Sequence, residues 1–156
     1  FMTQAAMTVG FTAWGIDPDG NAVAHAKEHY PGATYQVGGL TEFAAEFMTR
    51  TEDRFDAVYC SEVLEHVANA NAFIDAIAAV MAVHGELYLT TPDIGHWRRP
   101  KNLPDWDVFT PPHHCLFFSI GNLTQLLARH GLEIYHRYWA FKPGLKVMAR
   151  KVRVKT

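Results

Sequence analysis

The sequence predicts a single α/β domain in which helices cover both faces of a mostly parallel sheet that ends in an antiparallel hairpin. Three observations support this prediction: short apolar runs alternate with helical stretches, turn residues separate them, and no segment is repeated. The chain has 156 residues, of which 49% are hydrophobic and 19% charged. It is therefore long enough to bury one core and has the composition of a folded domain.

Six apolar runs have the length of strands and are bounded by glycine, proline or polar residues. They are Phe11–Asp17, Thr34–Val37, Phe55–Cys60, Glu86–Thr91, Glu133–Phe141 and Leu145–Val154. Helical stretches separate the first four runs, which favours parallel pairing. The last two runs flank the turn Lys142–Pro143–Gly144, which favours a hairpin.

Four stretches have the hydrophobic period of a helix. The first follows Pro18–Asn21 and ends near Pro31, and the second, Leu40–Arg50, places two phenylalanines one turn apart. The third carries an apolar stripe formed by Phe73, Ile74, Ile77, Val80 and Met81. The fourth begins at Ser119 and ends at Gly131, a residue common at the ends of helices.

An irregular stretch, residues 93–112, interrupts this alternation and contains four prolines. Loops of this length inside a compact domain are usually functional. Its aromatic and basic residues are Trp97, Arg98, Arg99, Lys101 and Trp106. They suit stacking and a carboxylate or phosphate clamp for an anionic or aromatic ligand. The alternative is a lid that its tryptophans anchor, with solvated basic residues.

Charge and composition exclude several classes of protein. Fourteen basic and sixteen acidic residues give a formal charge of −2, so no broad positive field is available for general nucleic-acid binding, although a local basic patch stays compatible. No apolar run reaches the ~18 residues that span a bilayer, and no signal peptide is recognisable. Cys60 and Cys115 are too few for a disulfide framework. We expect a cytoplasmic protein without a membrane partner.

Asp17 is a candidate ligand for a nucleotide-type cofactor. It ends a predicted strand just before a helix, where a carboxylate can accept hydrogen bonds from both hydroxyls of a ribose. The alternative is a structural role in the turn, because aspartate is common at helix starts.

The segment Ser61–Val67 holds the densest group of reactive side chains. If it is helical, Glu62, Glu65 and His66 fall within an arc of about 100° and point away from the core. Two carboxylates and an imidazole suit Mg²⁺ or Mn²⁺, and His113 or His114 could add a fourth ligand. Two alternatives stay open: a metal-free polar site in which a histidine orients the substrate or accepts its proton, and a solvated helix face.

Three segments resemble the class I methyltransferases, which use S-adenosylmethionine. They are Gly15–Asp19 (GIDPD), Phe55–Val67 (FDAVYCSEVLEHV) and Gly85–Pro92 (GELYLTTP). The most similar branch holds the ubiquinone-biosynthesis O-methyltransferases and the small-RNA 2′-O-methyltransferases. The resemblance implies a Rossmann-like three-layer fold, S-adenosylmethionine as cofactor, and O-methylation of a small molecule or of the modified end of a polymer.

The resemblance also implies roles for individual residues. The ribose contact corresponds to Asp17, with Pro18 beside it, and the adenine lining to Gly39 and Leu40. Contacts to the methionine part of the cofactor correspond to Cys60 and Ser61. In the small-RNA enzymes a Glu-x-x-Glu-His set and a later histidine bind the metal, which here implies Glu62, Glu65, His66 and His114. The two histidines are also the candidates for the catalytic proton acceptor.

The chain departs from the family pattern at its start. The family's first strand and acidic glycine-rich loop belong before the helix that leads into Gly10, so we expect an N-terminally incomplete domain with roughly 40 further residues upstream. A degenerate methyltransferase-like binding or scaffold module without activity is the main alternative. A nicotinamide-dependent dehydrogenase is a weaker one, because it leaves Glu62–His66 unexplained.

Overall fold

The computed structural model describes residues 1–152, which form two compact units. The first unit is Phe1–Arg50, and the second begins at Thr51. In the described residues the strands lie in two separate sheets, one in each unit. The single domain over residues 1–156 therefore stays a prediction.

The first unit contains three helices around a two-stranded parallel sheet. Its elements are α1 (Met2–Thr8), β1 (Trp14–Asp17), α2 (Gly20–His29), β2 (Thr34–Val37) and α3 (Leu40–Arg50). The register pairs Asp17 with Val37, so both strands end at the same edge. The predicted order of strands and helices is confirmed here, and α3 has the predicted bounds.

Aromatic packing holds the first unit together. Phe43 and Phe47 on α3 are buried, and the ring of Trp14 on β1 lies 5.9 and 5.7 Å from theirs. Helix α2 begins at Gly20 because the Asp19 side chain accepts a hydrogen bond of 2.8 Å from the Asn21 amide. The unit is thus fixed by one capped helix and one aromatic cluster.

The second unit contains a four-stranded mixed sheet with the order β3–β4–β6–β5. Its elements are β3 (Phe55–Ser61), α4 (Ala70–Val80), β4 (Met81–Pro92), α5 (Ile120–Arg129), β5 (Leu132–Arg137) and β6 (Gly144–Lys151), with 3₁₀ turns at Leu64–His66 and Leu103–Asp105. Strand β4 pairs parallel to β3 and antiparallel to β6. The predicted hairpin is confirmed with shorter strands, and residues 153 and 154 of its second strand lie outside the described residues.

The core of the second unit follows the period of two in its strands. Alternate residues of β4 and β6 are buried, and so are the inner faces of both helices. The fully buried members are Ile74, Ile77, Leu87, Leu89, Leu123, Leu127, Leu145, Val147 and Ala149. Hydrophobic burial on the inner faces of the strands and of the two helices therefore holds the sheet and helices of this unit together.

The boundary between α4 and β4 differs from the prediction. Met81, which continues the helical stripe in the sequence, is the first residue of β4. The pairing then shifts from Phe55↔Met81 to Ala57↔Glu86, so β4 bulges around His84, which has a φ of 67°. A Cβ on Gly85 would lie 2.9 Å from the Ala82 carbonyl oxygen, so the bulge requires glycine at that position.

None of the helices in residues 1–152 is both long enough and apolar enough to cross a bilayer.

Candidate active site

The candidate site lies at the carboxyl ends of β3 and β4, the edge of the sheet where α/β proteins bind ligands. Strand β3 ends at Ser61, which pairs with Thr90. Glu62 follows with a φ of 53°, and its amide donates to the Thr90 carbonyl oxygen (3.1 Å). This left-handed residue turns the chain sharply back toward the sheet.

The predicted helix over this segment is wrong. The structure has a single 3₁₀ turn, Leu64–His66, because the left-handed Glu62 stops a helix from continuing out of the strand. The reactive side chains consequently do not share one solvent-facing side. Glu65 is fully buried, whereas Glu62 and His66 are exposed.

Glu65 is the central residue of the site, with an exposed fraction of 0%. Its Oε2 accepts a hydrogen bond of 3.0 Å from the Thr91 hydroxyl, while Oε1 is buried and has no hydrogen-bond partner within the described part of the chain. Burial raises the pKa of this carboxyl above its ordinary value. Burying a carboxylate oxygen without a hydrogen-bond donor costs free energy, so Oε1 is suited to bind a cation or a donor group of a ligand.

Two histidines complete the group. The Nδ1 atom of His66 lies 2.8 Å from the His113 carbonyl oxygen, and Nδ1 of His114 lies 2.6 Å from that of Val108. Because a carbonyl oxygen only accepts, each Nδ1 carries the hydrogen, and each neutral ring has its lone pair on Nε2. The two ring centroids are 4.6 Å apart.

The backbone holds His114 beside Glu65 although 48 positions separate them in the chain. The amides of Cys115 and Leu116 both donate to the Glu65 carbonyl oxygen, at 2.8 and 3.2 Å. One potential ligand atom from each of Glu65, His66 and His114 lies within 4.8 Å of the others. The structure thus brings together three of the four predicted metal ligands.

Glu62 lies outside this group. Its Oε1 accepts a hydrogen bond of 2.6 Å from the Thr90 hydroxyl. The Ser61 hydroxyl is 2.7 Å from the same Thr90 oxygen and donates to it, because the single hydrogen of Thr90 is directed at Glu62. The predicted role of Glu62 as a ligand stays a prediction.

Cys60, the predicted contact for the methionine part of the cofactor, is buried at the end of β3. Burial, with the nearby Glu65 and Glu62 charges, raises the pKa of its thiol to about 12. The thiol therefore stays protonated at neutral pH, as expected for a residue without a nucleophilic role. Cys60 is a buried and Cys115 an exposed free cysteine.

The other predicted cofactor residues lie in the first unit. Asp17 ends β1 and is exposed, and its Oδ1 accepts from the Asp19 amide at 2.8 Å. Gly38, with a φ of 144°, donates its amide to the Asp17 carbonyl oxygen at 3.0 Å, so the turn of Gly39 and Leu40 follows at the same sheet edge. Pro18 is exposed beside Asp17.

A comparison with known protein families identifies this architecture. The profile of a family described as a methyltransferase domain matches residues 2–137. The chain belongs to the class I methyltransferase family. The resemblance inferred from three short segments is thus confirmed, and with it the Rossmann-like fold.

Curated relatives of this methyltransferase domain include the ubiquinone biosynthesis O-methyltransferase of Rhodopseudomonas palustris strain TIE-1. It is 28% identical over 119 residues, which cover 67% of this chain and 46% of the relative. The mitochondrial enzyme of the same name from Bos taurus is 31% identical over 93 residues, which cover 58% of this chain and 25% of the relative. The domain spans half or less of the length of these relatives.

Solved structures share the fold at low sequence identity. An S-adenosylmethionine-dependent methyltransferase from Mesorhizobium loti superposes with a TM-score of 0.74 at 18% identity, covering 96% of this chain and 85% of that one. The magnesium protoporphyrin IX methyltransferase of Synechocystis, solved with bound S-adenosylmethionine, gives a TM-score of 0.62 at 17% identity, covering 96% and 64%. At these identities the likeness concerns the fold alone.

Two residues of the methyltransferase domain that contact the candidate site were not found from the sequence. Thr90 and Thr91 hold Glu62 and Glu65 respectively through their hydroxyls. Both are buried, and they follow the apolar run Leu87–Leu89 of β4. Two adjacent hydroxyl residues at the end of a buried strand are the signal that could have found them, because buried hydroxyls require partners.

Proposed function

We propose that this domain is the catalytic part of an S-adenosylmethionine-dependent O-methyltransferase. Its acceptor is a hydroxyl group on a small molecule or on the modified end of a polymer, and Glu65, His66 and His114 form the acceptor side of the site. The single observation that carries this proposal is the convergence of these three side chains, whose ligand atoms lie within 4.8 Å of one another.

The proposed chemistry needs one proton acceptor. The hydroxyl oxygen of the acceptor attacks the methyl carbon in line with the carbon–sulfur bond, that bond breaks, and the sulfur keeps its electron pair as S-adenosylhomocysteine is released. The hydroxyl proton passes to Nε2 of His66 or of His114. Both atoms have a lone pair because the Nδ1 hydrogens are bound to carbonyl oxygens. The same hydrogen bonds fix the direction of each ring.

As an alternative to a proton-accepting histidine, the three side chains fit a divalent cation, which would occupy the Nε2 lone pairs of both rings. No donor in the described part of the chain reaches Oε1 of Glu65, and the two imidazoles are oriented by carbonyl oxygens, an arrangement common around metal-binding histidines. Because two of the three ligand atoms are imidazole nitrogens, the set suits a borderline cation such as Mn²⁺ better than Mg²⁺, which prefers oxygen. A cation bound there would lower the pKa of the acceptor hydroxyl.

On the cofactor side we propose that Asp17 accepts hydrogen bonds from the ribose hydroxyls of S-adenosylmethionine. Among the described residues the Asp19 amide donates to Oδ1 of Asp17, and a carboxylate has further acceptor sites that suit a diol. Pro18, Gly39 and Leu40 are proposed to line the adenosine, and Cys60 and Ser61 the methionine part. The cytoplasmic location stays a prediction from the sequence.

The proposal is tested first by cofactor binding. Calorimetric titration with S-adenosylhomocysteine should give binding that NAD does not, and Asp17→Asn should weaken it about tenfold, as expected for a lost hydrogen bond to a charge. Asp19→Asn, which alters the neighbouring carboxylate and keeps a helix-capping side chain, is the matched control. Binding of NAD in place of S-adenosylhomocysteine would indicate a dehydrogenase.

The second test is transfer of a labelled methyl group to a panel of phenols, catechols and RNA ends, with and without chelator. His66→Gln and His114→Gln should each lower the rate by about 10²-fold or more. His113→Gln is the matched control, because only its backbone carbonyl contributes to the site. Binding of S-adenosylhomocysteine without any methyl transfer would favour a scaffold module. Activity that is indifferent to chelator would assign the histidines to proton transfer alone.

A further inference from the structure

A second group of side chains lies at the same edge of the four-stranded sheet as the candidate active site. The loop after β4 contributes Trp97 and Arg98, and the turn between β5 and β6 contributes Trp139 and Phe141. The register pairs Pro92 at the end of β4 with Gly144 at the start of β6, so both segments leave the sheet at one edge. We refer to these four residues as the aromatic–arginine cluster.

The cluster exposes an unusual amount of aromatic surface. The exposed fractions of Trp97, Trp139 and Phe141 are 76%, 77% and 56%. The rings of Trp139 and Phe141 lie 6.0 Å apart and are tilted against each other. Exposing several large rings together costs hydration free energy, and such patches mark binding sites.

Arg98 is held within this cluster by two rings. Its Cζ lies 3.9 Å from the ring centroid of Phe141 and 5.2 Å from that of Trp97. Within residues 1–152, Arg98 forms no salt bridge with a carboxylate. A guanidinium that stacks on a ring keeps its N–H donors available and loses little freedom when it binds an anion.

The loop and the turn are joined by His96. Its Nε2 donates to the Ala140 carbonyl oxygen at 3.1 Å, and its Nδ1 accepts from the Arg98 amide, also at 3.1 Å. Both nitrogens are therefore occupied, which fixes the backbone of the loop against the turn. Arg99 adds hydrogen bonds to the carbonyl oxygens of Ile94 and Pro100, so the cluster rests on an ordered backbone.

We propose that the aromatic–arginine cluster is a binding site for a planar aromatic molecule that carries a carboxylate or a phosphate group. The guanidinium of Arg98 binds the anionic oxygens in a bidentate manner, and the exposed indoles of Trp97 and Trp139 stack on the aromatic ring. Along the sequence, the charged residues nearest the cluster are Arg99, Lys101 and Lys142, all of them basic, which favours an anionic ligand. The proposal concerns binding alone and does not depend on the proposed methyltransferase activity.

The test is a nuclear magnetic resonance titration of the chain labelled with ¹⁵N, observed at the tryptophan indole signals. The ligands are benzoate, phenyl phosphate and the uncharged benzamide. Benzoate and phenyl phosphate should shift the signals of Trp97 and Trp139 and bind about five- to tenfold more tightly than benzamide. Trp106, with an exposed fraction of 4%, should not shift and reports that the fold is intact.

Three variants make the test specific to Arg98. Arg98→Gln should abolish the preference for benzoate over benzamide, and Arg98→Lys should restore only part of it, because an ammonium cannot form the bidentate contact. Lys101→Gln, which removes an exposed charge of the same loop, should leave the preference unchanged. A variant is interpreted only when its Trp106 signal matches that of the wild type, since this shows an intact fold. A variant that fails this criterion is replaced by Trp97→Phe, which should bind benzoate more weakly than the wild type.

Several outcomes would overturn the proposal. Equal binding of benzoate and benzamide would show that the cluster has no anion site. If Lys101→Gln and Arg98→Gln lost the preference for benzoate equally, the preference would come from the general positive charge of the loop and not from Arg98. Binding to vesicles of anionic phospholipid, without a response to either aromatic anion, would assign the cluster to a lipid surface.

Discussion

The hydroxyl of Thr91 donates a hydrogen bond of 3.0 Å to Oε2 of Glu65, whereas Oε1 of the same buried carboxylate has no hydrogen-bond partner among residues 1–152. One contact therefore decides which oxygen is directed at the site. Thr91 is itself fully buried at the end of β4. Strand β4 thus supplies the hydrogen bond that orients Glu65, a residue of the segment that follows the neighbouring strand β3.

Removal of this hydrogen bond should destabilise the domain and change the titration of Glu65. In Thr91→Val the free energy of unfolding should fall by about 1–2 kcal/mol, because a buried acceptor loses its donor. The Thr91 hydrogen bond lowers the pKa of Glu65, so the variant should raise that pKa further. Denaturant unfolding and carboxyl ¹³C chemical shifts measure the two effects. Thr91→Ser keeps the hydroxyl and should restore the wild-type pKa of Glu65. If the pKa of Glu65 in Thr91→Val equalled the wild-type value, the contact would not orient Glu65.

The buried Glu65 carboxyl should make stability depend on pH. Burial raises its pKa in the folded chain above the unfolded value of about 4.5. The stability that this group contributes is thus present below pH 4.5 and is lost as the pH rises through the folded pKa. In the presence of chelator, Glu65→Gln should remove this loss and unfold at higher denaturant concentration than wild type at pH 7.

Glu133→Gln is the matched control for this pH dependence, since Glu133 is exposed on β5 and is not among the groups that shift the pKa of Glu65. It should retain the wild-type decrease in stability between pH 4.5 and pH 7. If Glu65→Gln and wild type instead lose stability in parallel over this range, another group is responsible.

Mn²⁺ should stabilise the folded domain through Glu65, His66 and His114. At a concentration 100-fold above the dissociation constant, a ligand that binds only the folded state raises the free energy of unfolding by about 2.7 kcal/mol. Thermal unfolding with increasing Mn²⁺ measures this effect, and chelator should reverse it. His114→Gln should abolish the stabilisation and His113→Gln should keep it. Equal stabilisation of both variants would place the cation elsewhere.

Gly85 should be intolerant of a larger side chain. A Cβ there would lie 2.9 Å from the Ala82 carbonyl oxygen and 3.1 Å from that of Phe55, and neither backbone can move away freely. Gly85→Ala should therefore lower the free energy of unfolding by about 1–3 kcal/mol. The control is Gly121→Ala within α5, where alanine favours the helix and should add about 0.5–1 kcal/mol. Denaturant unfolding of both variants measures these changes. A Gly85→Ala variant as stable as the wild type would contradict this account.

Several elements could be predicted from the sequence because local rules specify them. Helix α3 has the predicted bounds, since Phe43 and Phe47 form one apolar face, and α5 begins at the predicted Ser119 cap. Met81 was misplaced because its side chain continues a helical stripe, while pairing with Phe55 decides that it belongs to a strand. The period of a sequence does not reveal such competition between a helix and a sheet.

The sequence by itself determined the α/β class, the parallel pairing with a closing hairpin, and the residue types from which a methyltransferase site is assembled. Only the tertiary structure decided how Glu65 and the two histidines meet. A left-handed Glu62 replaces the predicted helix by a turn, buries Glu65, and lets its carbonyl oxygen bind the segment that carries His114. These contacts join residues fifty and fifty-one positions apart, and no local pattern encodes hydrogen bonds over such a separation.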